Sequence, residues 1–517
     1  MTNPEPVIEA EESEVSKRSR ANDQWSIVRR EFCRHKMAVT ATFVVVFLLT
    51  VSVFAPFLAN GSPIYYRGYN RFLYAEASRT LRTIALRLVT TDKDPKAPSL
   101  ADNLKGMEAQ VRIMSSMISA ADAATLRTEL DKVSGLARSK SPDLGAAVPA
   151  FRTLLRDKYD SGKISLVMQN HWPVIANLHW SEILFMVMTV AFLTLPVWNR
   201  FLPERRSAVA ISPATWCRFL ILCVLPVAVS LTWWISTPFS LDRTKYRDGV
   251  AATATADKLA SAPVVYERAI WPLIPYDLDG NDLDHKFAAP SALHWLGTDD
   301  VGRDVMSRMI WGGRVSLSVG IVAALINLII GVTVGAIAGY FRGTWDLIIS
   351  RLIEIVICFP SFFLILTIVA FLGPSIFNIM IVIGLIGWTG IAQLIRGEFL
   401  RLGEQEFILA ARALGYSSAR IIFLHVLPNA MAPVLVTVTF DIAGAILTES
   451  GLSFLGLGIT LPKPSWGGIL SSGREAVRQA PWLIYFPGLV IFITITSYNL
   501  IGETLRDASD PRLRGRR

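Results

Sequence analysis

The chain has 517 residues, 52% hydrophobic and 18% charged, with a mean hydropathy of +0.42. Soluble globular domains carry about a quarter charged residues, so this balance points to an integral membrane protein and away from a soluble enzyme. The formal net charge is +9. Its basic residues gather beside apolar runs rather than in one patch, which argues for membrane orientation and against a nucleic-acid partner.

A tail, residues 1–36, opens with Glu5, Glu9, Glu11, Glu12 and Glu14 and ends with Arg18, Arg20, Arg29, Arg30, Arg34 and Lys36. Its acidic half is expected to be disordered. Residues 37–58 form the first apolar run, long enough for a span, which takes roughly 20 residues. Its length and the polar tail before it argue against a cleaved signal peptide. Residues 59–179 read as an external helical insertion. Val111, Met114, Met117, Ile118, Leu126, Leu130, Val133 and Leu136 recur at helical spacing, with breaks expected at Ala121-Asp122 and at Ser141-Pro142-Asp143.

Residues 180–235 hold an additional pair of spans, 180–198 and 216–235, each with tryptophan at its ends as in an aromatic belt. Arg200, Arg205 and Arg206 lie in the loop between them. A second external segment, 236–314, is rich in Pro, Gly, Asp and Asn and predicts turns rather than long elements. Within it "TDDVGRD", residues 298–304, invites a calcium reading. It lacks the alternating ligands and later Glu of an EF-hand. Capping and turn roles are expected instead, with Arg303 paired to Asp299 or Asp300.

The remainder, 315–503, reads as a compact bundle with apolar runs at 315–340, 347–372, 376–394, 430–447 and 482–500. Arg351 and Glu354 are spaced to pair on a helix. Residues 504–517 form a basic tail with Arg506, Arg512, Arg514, Arg516 and Arg517. The total is about eight spans. All three basic clusters then fall on one side, which the positive-inside rule makes cytoplasmic, so both termini lie inside. Cys33, Cys217, Cys223 and Cys358 fall in no external loop, and neither a disulfide framework nor a metal site is expected.

On this topology residues 396–429 are cytoplasmic. "AARALGYSSARIIFLHVLPNA", residues 410–430, is small-residue rich and basic. Residues 407–414 read as a short helix. Gly415 is placed for a positive-φ helix end, Ser417 or Ser418 caps a second helix near Ala419, and Pro428 ends or bends it. The product is a helix-turn-helix elbow tied to two spans, a shape suited to transmitting motion from a cytoplasmic partner.

These residues carry a resemblance. Ala410, Ala411, Gly415, Leu427 and Pro428 resemble the cytoplasmic "EAA" loop of permease subunits of binding-protein-dependent ABC importers. Leu409 stands at the place of the usual Glu, and His425 at that of the Ile. The run from Arg420 through His425 to Asn429 is similar to the dipeptide, oligopeptide and nickel branch. "LGTDDVGRDVMSRMIWGGRVSLSVG" (296–320), "ESGLSFLGLGITLPKPSWGGIL" (449–470) and "GETLRDASDPR" (502–512) resemble further family segments. The resemblance spans roughly residues 294–512 and implies an all-α permease bundle around a translocation pathway. It implies that Ala410, Ala411, Arg412, Gly415, Arg420, His425, Leu427, Pro428 and Asn429 couple to an ATPase. The chain has no GxxxxGK[ST] pattern, so ATP and Mg would be held by partner subunits. The implied partners are a second permease, two ATP-binding cassette subunits and an extracytoplasmic binding protein, all in a bacterial inner membrane. The expected cargo is peptide, with nickel, glutathione-like molecules and peptide antibiotics as the alternatives.

Asp441 falls within a span and Glu449 near its outer end. Intramembrane charges are costly and usually face an interior or a wet cavity. Asp441 either lines the pathway or pairs with an interior polar group, and Glu449 is expected to be structural at the outer mouth. In an ion-gradient-driven transporter, the alternative, Asp441 would carry the proton, but such carriers commonly show internal repeats and this chain has none. A membrane scaffold built on residues 60–179 is the third reading.

Overall fold

The computed structural model describes residues 28, 30–90, 98–160, 162–201, 217–236, 244–459 and 463–509. The acidic stretch of the tail, the basic residues Arg205 and Arg206, and the terminal arginines from Arg512 onward lie outside the described residues. Two compact units emerge. One comprises residues 1–55, 188–224 and 278–517, the other residues 56–187 and 225–277.

The first span, α1 (Lys36–Val53), is apolar around its whole circumference and stops at Phe54. In the second unit strand β1 (Tyr65–Asn70) leads into α2 (Arg71–Thr90). Helices α3 (Leu100–Ser115), α4 (Ala120–Arg138) and α5 (Leu144–Asp157) complete a bundle. Its core holds Tyr74, Leu81, Met107, Met114, Leu126 and Leu155. Val111, Met117, Ile118, Leu130 and Val133 are buried there as their spacing predicts, and Leu136 is half-buried. The break between α3 and α4 falls at residues 116–119 and not at Ala121-Asp122. Ser119 is the N-cap: its Oγ accepts the Asp122 N–H and donates to the Asp122 carboxylate. Asp122 therefore stabilises a helix start.

Among the described residues four short strands add one small sheet to a mostly helical chain. With β2 (Gln169–His171), β3 (Val250–Ala251) and β4 (Val264–Ile270), β1 forms one sheet in the order β2-β1-β4-β3. The β1–β2 and β1–β4 pairs are antiparallel and β3–β4 is parallel. Tyr66 pairs with His171 on one side and Ala269 on the other. Helices α6 (Trp180–Phe201) and α7 (Leu225–Ser236) follow as the additional apolar pair. Ser230 Oγ donates to Trp180 O at 2.7 Å and Trp233 Nε1 to Leu178 O at 3.1 Å.

In the first unit α8 (Val305–Phe341) starts ten residues before the apolar run at 315–340, capped by Asp304, whose carboxylate accepts the Ser307 N–H. The run at 347–372 is not one straight helix. It divides into α9 (Gly343–Ile357) and α10 (Ser361–Leu372), bent by 81°. Pro360 lies at the break, where its ring excludes a continuous helix. Then come α11 (Ile376–Gly403), α12 (Glu406–Ala413), α13 (Leu427–Phe454), α14 (Trp466–Glu475) and α15 (Trp482–Ser509).

A glycine seam joins α8 to α11. A Cβ on Gly335 would lie 2.4 Å from Ala392 O, and one on Gly339 2.6 Å from the Phe399 Cβ. Spaced four apart, Gly331, Gly335 and Gly339 share one face and let the two backbones approach closely. Gly331 meets Ile391, Gly335 meets Ala392, and Gly339 meets Phe399; partner numbers rise together, so the helices run parallel. The chain between them must then cross back, and only α9 with α10 does so. Among the described residues seven helices are individually long and apolar enough to cross a membrane, and the bent pair taken as one span makes eight.

Candidate functional site

The elbow begins where α11 ends. Arg342 pairs with Glu404 at 2.5 Å, pinning the turn between α11 and α12. Ile408 and Ala411 on α12 are buried with Ile391, Ile395, Phe399, Ile421 and Val426 in one cluster. Ala410 and Arg412 face outward, with the Arg412 guanidinium 5.4 Å from the Tyr340 ring centre. At Gly415 φ is +73°. The Gly415 N–H donates to Arg412 O at 2.9 Å and the Tyr416 N–H to Ala411 O at 3.2 Å. This double closure is a Schellman motif, which needs a left-handed residue that glycine supplies without a Cβ penalty.

Ser417 caps the next turn, its Oγ accepting the Arg420 N–H at 3.4 Å. The Arg420 guanidinium sits 4.3 Å over the Tyr416 ring, and Tyr416 stacks on His425 with centroids 6.0 Å apart. His425 thus packs, half-buried, in a cation–ring–ring column. Pro428 does not end the helix. Residues Ser418–Phe454 run as one helix of 37 residues, with a π-turn over Ile421–Val426. The wider turn makes room for the proline ring, which would otherwise meet the carbonyl four residues back. Asn429 Nδ2 donates to His425 O at 2.6 Å. Leu427 packs on the buried cluster, while Pro428 and Asn429 are exposed.

Turned outward on the same elbow are Phe407, Leu409, Leu414, Phe423 and Leu424, with Leu414 72% exposed. Sequence reasoning missed this apolar face, although the absence of a charge at Leu409 signalled it.

Along α13, Asp441 and Glu449 lie about two turns apart in different settings. Glu449 is fully buried; Ser316 Oγ donates to its Oε2 at 3.1 Å and Ser453 Oγ to its Oε1 at 2.8 Å. Asp441 is half-buried, and its buried Oδ2 has no hydrogen-bond partner among the described residues. The interior polar mate that one reading of Asp441 requires is not found among them.

The end of the bundle away from the elbow is tied by charge. Asp299 accepts the Val301 and Arg303 N–H groups on Oδ1 and the Arg303 Nε on Oδ2 at 2.7 Å, and also pairs with Arg308. Arg303 reaches Asp300 at 3.3 Å as well. His294 Nδ1 lies 2.9 Å from Asp304 Oδ2. Burial pushes the Asp304 carboxyl above its usual range, opposed by the Ser307 N–H and His294. These are cap and frame roles, and no cluster of metal ligands occurs among the described residues. Arg351 and Glu354 pair at 2.6 Å on the exposed face of α9. Cys33, Cys217, Cys223 and Cys358 are free thiols.

A core of long apolar helices with a braced elbow between two of them is the architecture of a transport permease. The chain belongs to the family described as binding-protein-dependent transport system inner membrane component, matched over residues 331–515. Residues 23–75 match the N-terminal TM domain of oligopeptide transport permease C. It is 46% identical over 231 residues to the dipeptide transport system permease protein DppC of Alkalihalophilus pseudofirmus, covering 44% of this chain and 76% of that one. Identity to the oligopeptide transport system permease protein OppC of Bacillus subtilis is 41%, covering 46% and 78%. The glutathione transport system permease protein GsiD of Pectobacterium atrosepticum matches at 36%, covering 58% of this chain and 99% of that one. The chain is accordingly a permease subunit of the ABC-importer class, in its dipeptide and oligopeptide branch, and the ion-gradient alternative is set aside.

Proposed function

We propose that the chain lines half of an ATP-driven import path for peptides, and that residues 396–429 dock it to a separate ATP-binding cassette subunit. The single observation behind this is the elbow: a stiffly braced turn whose outward face carries Phe407, Leu409, Leu414, Phe423 and Leu424. Ala410, Arg412, Gly415, Arg420, Pro428 and Asn429 are likewise exposed on the elbow, while Ala411 is buried and His425 and Leu427 are half-buried. A second permease subunit completes the path, two cassette subunits hold ATP and Mg, and an extracytoplasmic binding protein delivers the peptide. The membrane is the bacterial inner membrane, with both termini and the elbow in the cytoplasm and residues 59–179 and 236–314 outside. Closure of the cassettes carries the docked elbows with it, and the bundle turns from inward to outward opening. Asp441, a carboxyl in a span whose buried Oδ2 has no hydrogen-bond partner among the described residues, meets the peptide's ammonium group; Glu449 ties α13 to α8. In proteoliposomes holding the complete importer, Gly415→Pro or deletion of residues 410–415 is expected to abolish ATP-driven peptide uptake. Undiminished uptake in both variants would refute the coupling role.

A further inference from the structure

A cavity of about 630 Å³ opens at the end of the bundle away from the elbow, with α14 and the segment after α13 among its walls. That volume is in the range of small-ligand sites. Its charged and polar lining includes Asp300, Arg308, Lys463, Ser465, Glu475 and Gln479. Arg308 is the unusual member. It is 3% exposed, yet its Nε is buried with no hydrogen-bond partner among the described residues. Asp299 takes only its Nη1. A buried guanidinium with one edge unused leaves a donor unsatisfied, which is costly unless something fills it. The unused edge has the fork that pairs with a carboxylate.

The surrounding charges narrow the ligand. Asp299, Asp300, Arg303 and Arg308 balance one another, as do Lys463 and Glu475. A bare anion would upset that balance; a zwitterion keeps it. Arg308 lies deep, whereas Asp300, Glu475 and Lys463 are exposed.

We propose that this cavity is a receiving site for short peptides with free termini, the α-carboxylate on the unused edge of Arg308 and the ammonium toward Asp300 and Glu475. The proposal rests on the peptide-import reading above and adds to it a carboxylate requirement imposed by the permease itself.

The test uses the complete importer in proteoliposomes without its binding protein. The probe is alanyl-photoleucyl-alanine, activated by light, with the cross-link mapped by mass spectrometry. Label is expected within residues 463–479. Trialanine as the free acid should compete at about tenfold lower concentration than trialanine amide, as a hydrogen-bonded charge pair implies. Arg308→Lys keeps a cation beside Asp299 but loses the fork, and should bring acid and amide within about twofold of each other. Gln479→Trp, on the exposed rim, should remove the label by filling the cavity. Should Arg308→Lys fail to fold, the acid-to-amide comparison on the unaltered chain and the Gln479→Trp result still decide. Equal competition by acid and amide, or label mapping elsewhere, overturns the proposal. Uptake of trialanine with binding protein and ATP, measured in parallel, separates the two readings. Uptake with equal competition sinks the cavity alone, whereas complete absence of uptake sinks peptide import.

Discussion

The two ends of the core bundle are built on opposite principles. At the elbow end Arg342–Glu404 and Arg351–Glu354 lie on the surface, largely solvated, with Arg396–Asp346 half-buried, and large apolar side chains face out. At the other end the ion pairs are interior, with Asp299, Arg303 and Arg308 all under 10% exposed. Surface pairs contribute little and tolerate rearrangement. A buried network tolerates no missing member, because each loss strands a charge. One end thus turns apolar side chains outward beside solvated ion pairs, and the other is held by a buried charge network.

Single substitutions can break that contrast. Asp299→Ala leaves two buried guanidinium groups short of an acceptor and should cost about 3–5 kcal/mol, read as a lowered thermal midpoint of the detergent-purified importer. Gly335→Val overpacks the seam against Ala392 and should cost about 1–3 kcal/mol in the same assay. Gly415→Ala forces a Cβ into left-handed backbone and should cost about 1 kcal/mol, with a larger loss in uptake than in stability. Arg351→Ala should change stability by less than about 1 kcal/mol. The smallest expected shift in stability, within about 0.5 kcal/mol, is for Leu414→Asp. Its effect should appear in assembly, as loss of the cassette subunit on co-purification; retention at wild-type stoichiometry would refute docking through this face.

Much of the elbow was legible because its signals are local. Gly415 and Ser417 act within four residues of themselves, and the sequence carries their reasons with it. The continuity through Pro428 was not legible, because the π-turn that accommodates the ring depends on packing of Ile421 and Val426 against α11. The bend at Pro360 had its residue in view, yet hydropathy summed over residues 347–372 reads the same bent or straight. Arg303 could be paired with Asp299 and Asp300 by proximity in sequence. Arg308 and His294 join the network only because α8 starts early, at Asp304. The sheet was invisible for another reason. Its strands are short, and β1 and β4 lie about 200 residues apart, so no local pattern announces the pair. The repeat of Gly331, Gly335 and Gly339 was present in the sequence as a close-packing signature, and its meaning was set only by the opposing face of α11.

The uninterrupted helix from Ser418 to Phe454 has a mechanical consequence. At 1.5 Å per residue, 37 residues make a rod of ~55 Å. Tilting such a rod by ~5° about its base sweeps the far tip through ~5 Å, by the same rise per residue. The tip carries Ser453, in the wall of the cavity. The wide turn over Ile421–Val426, packed by both of those side chains, lies near the base of the rod.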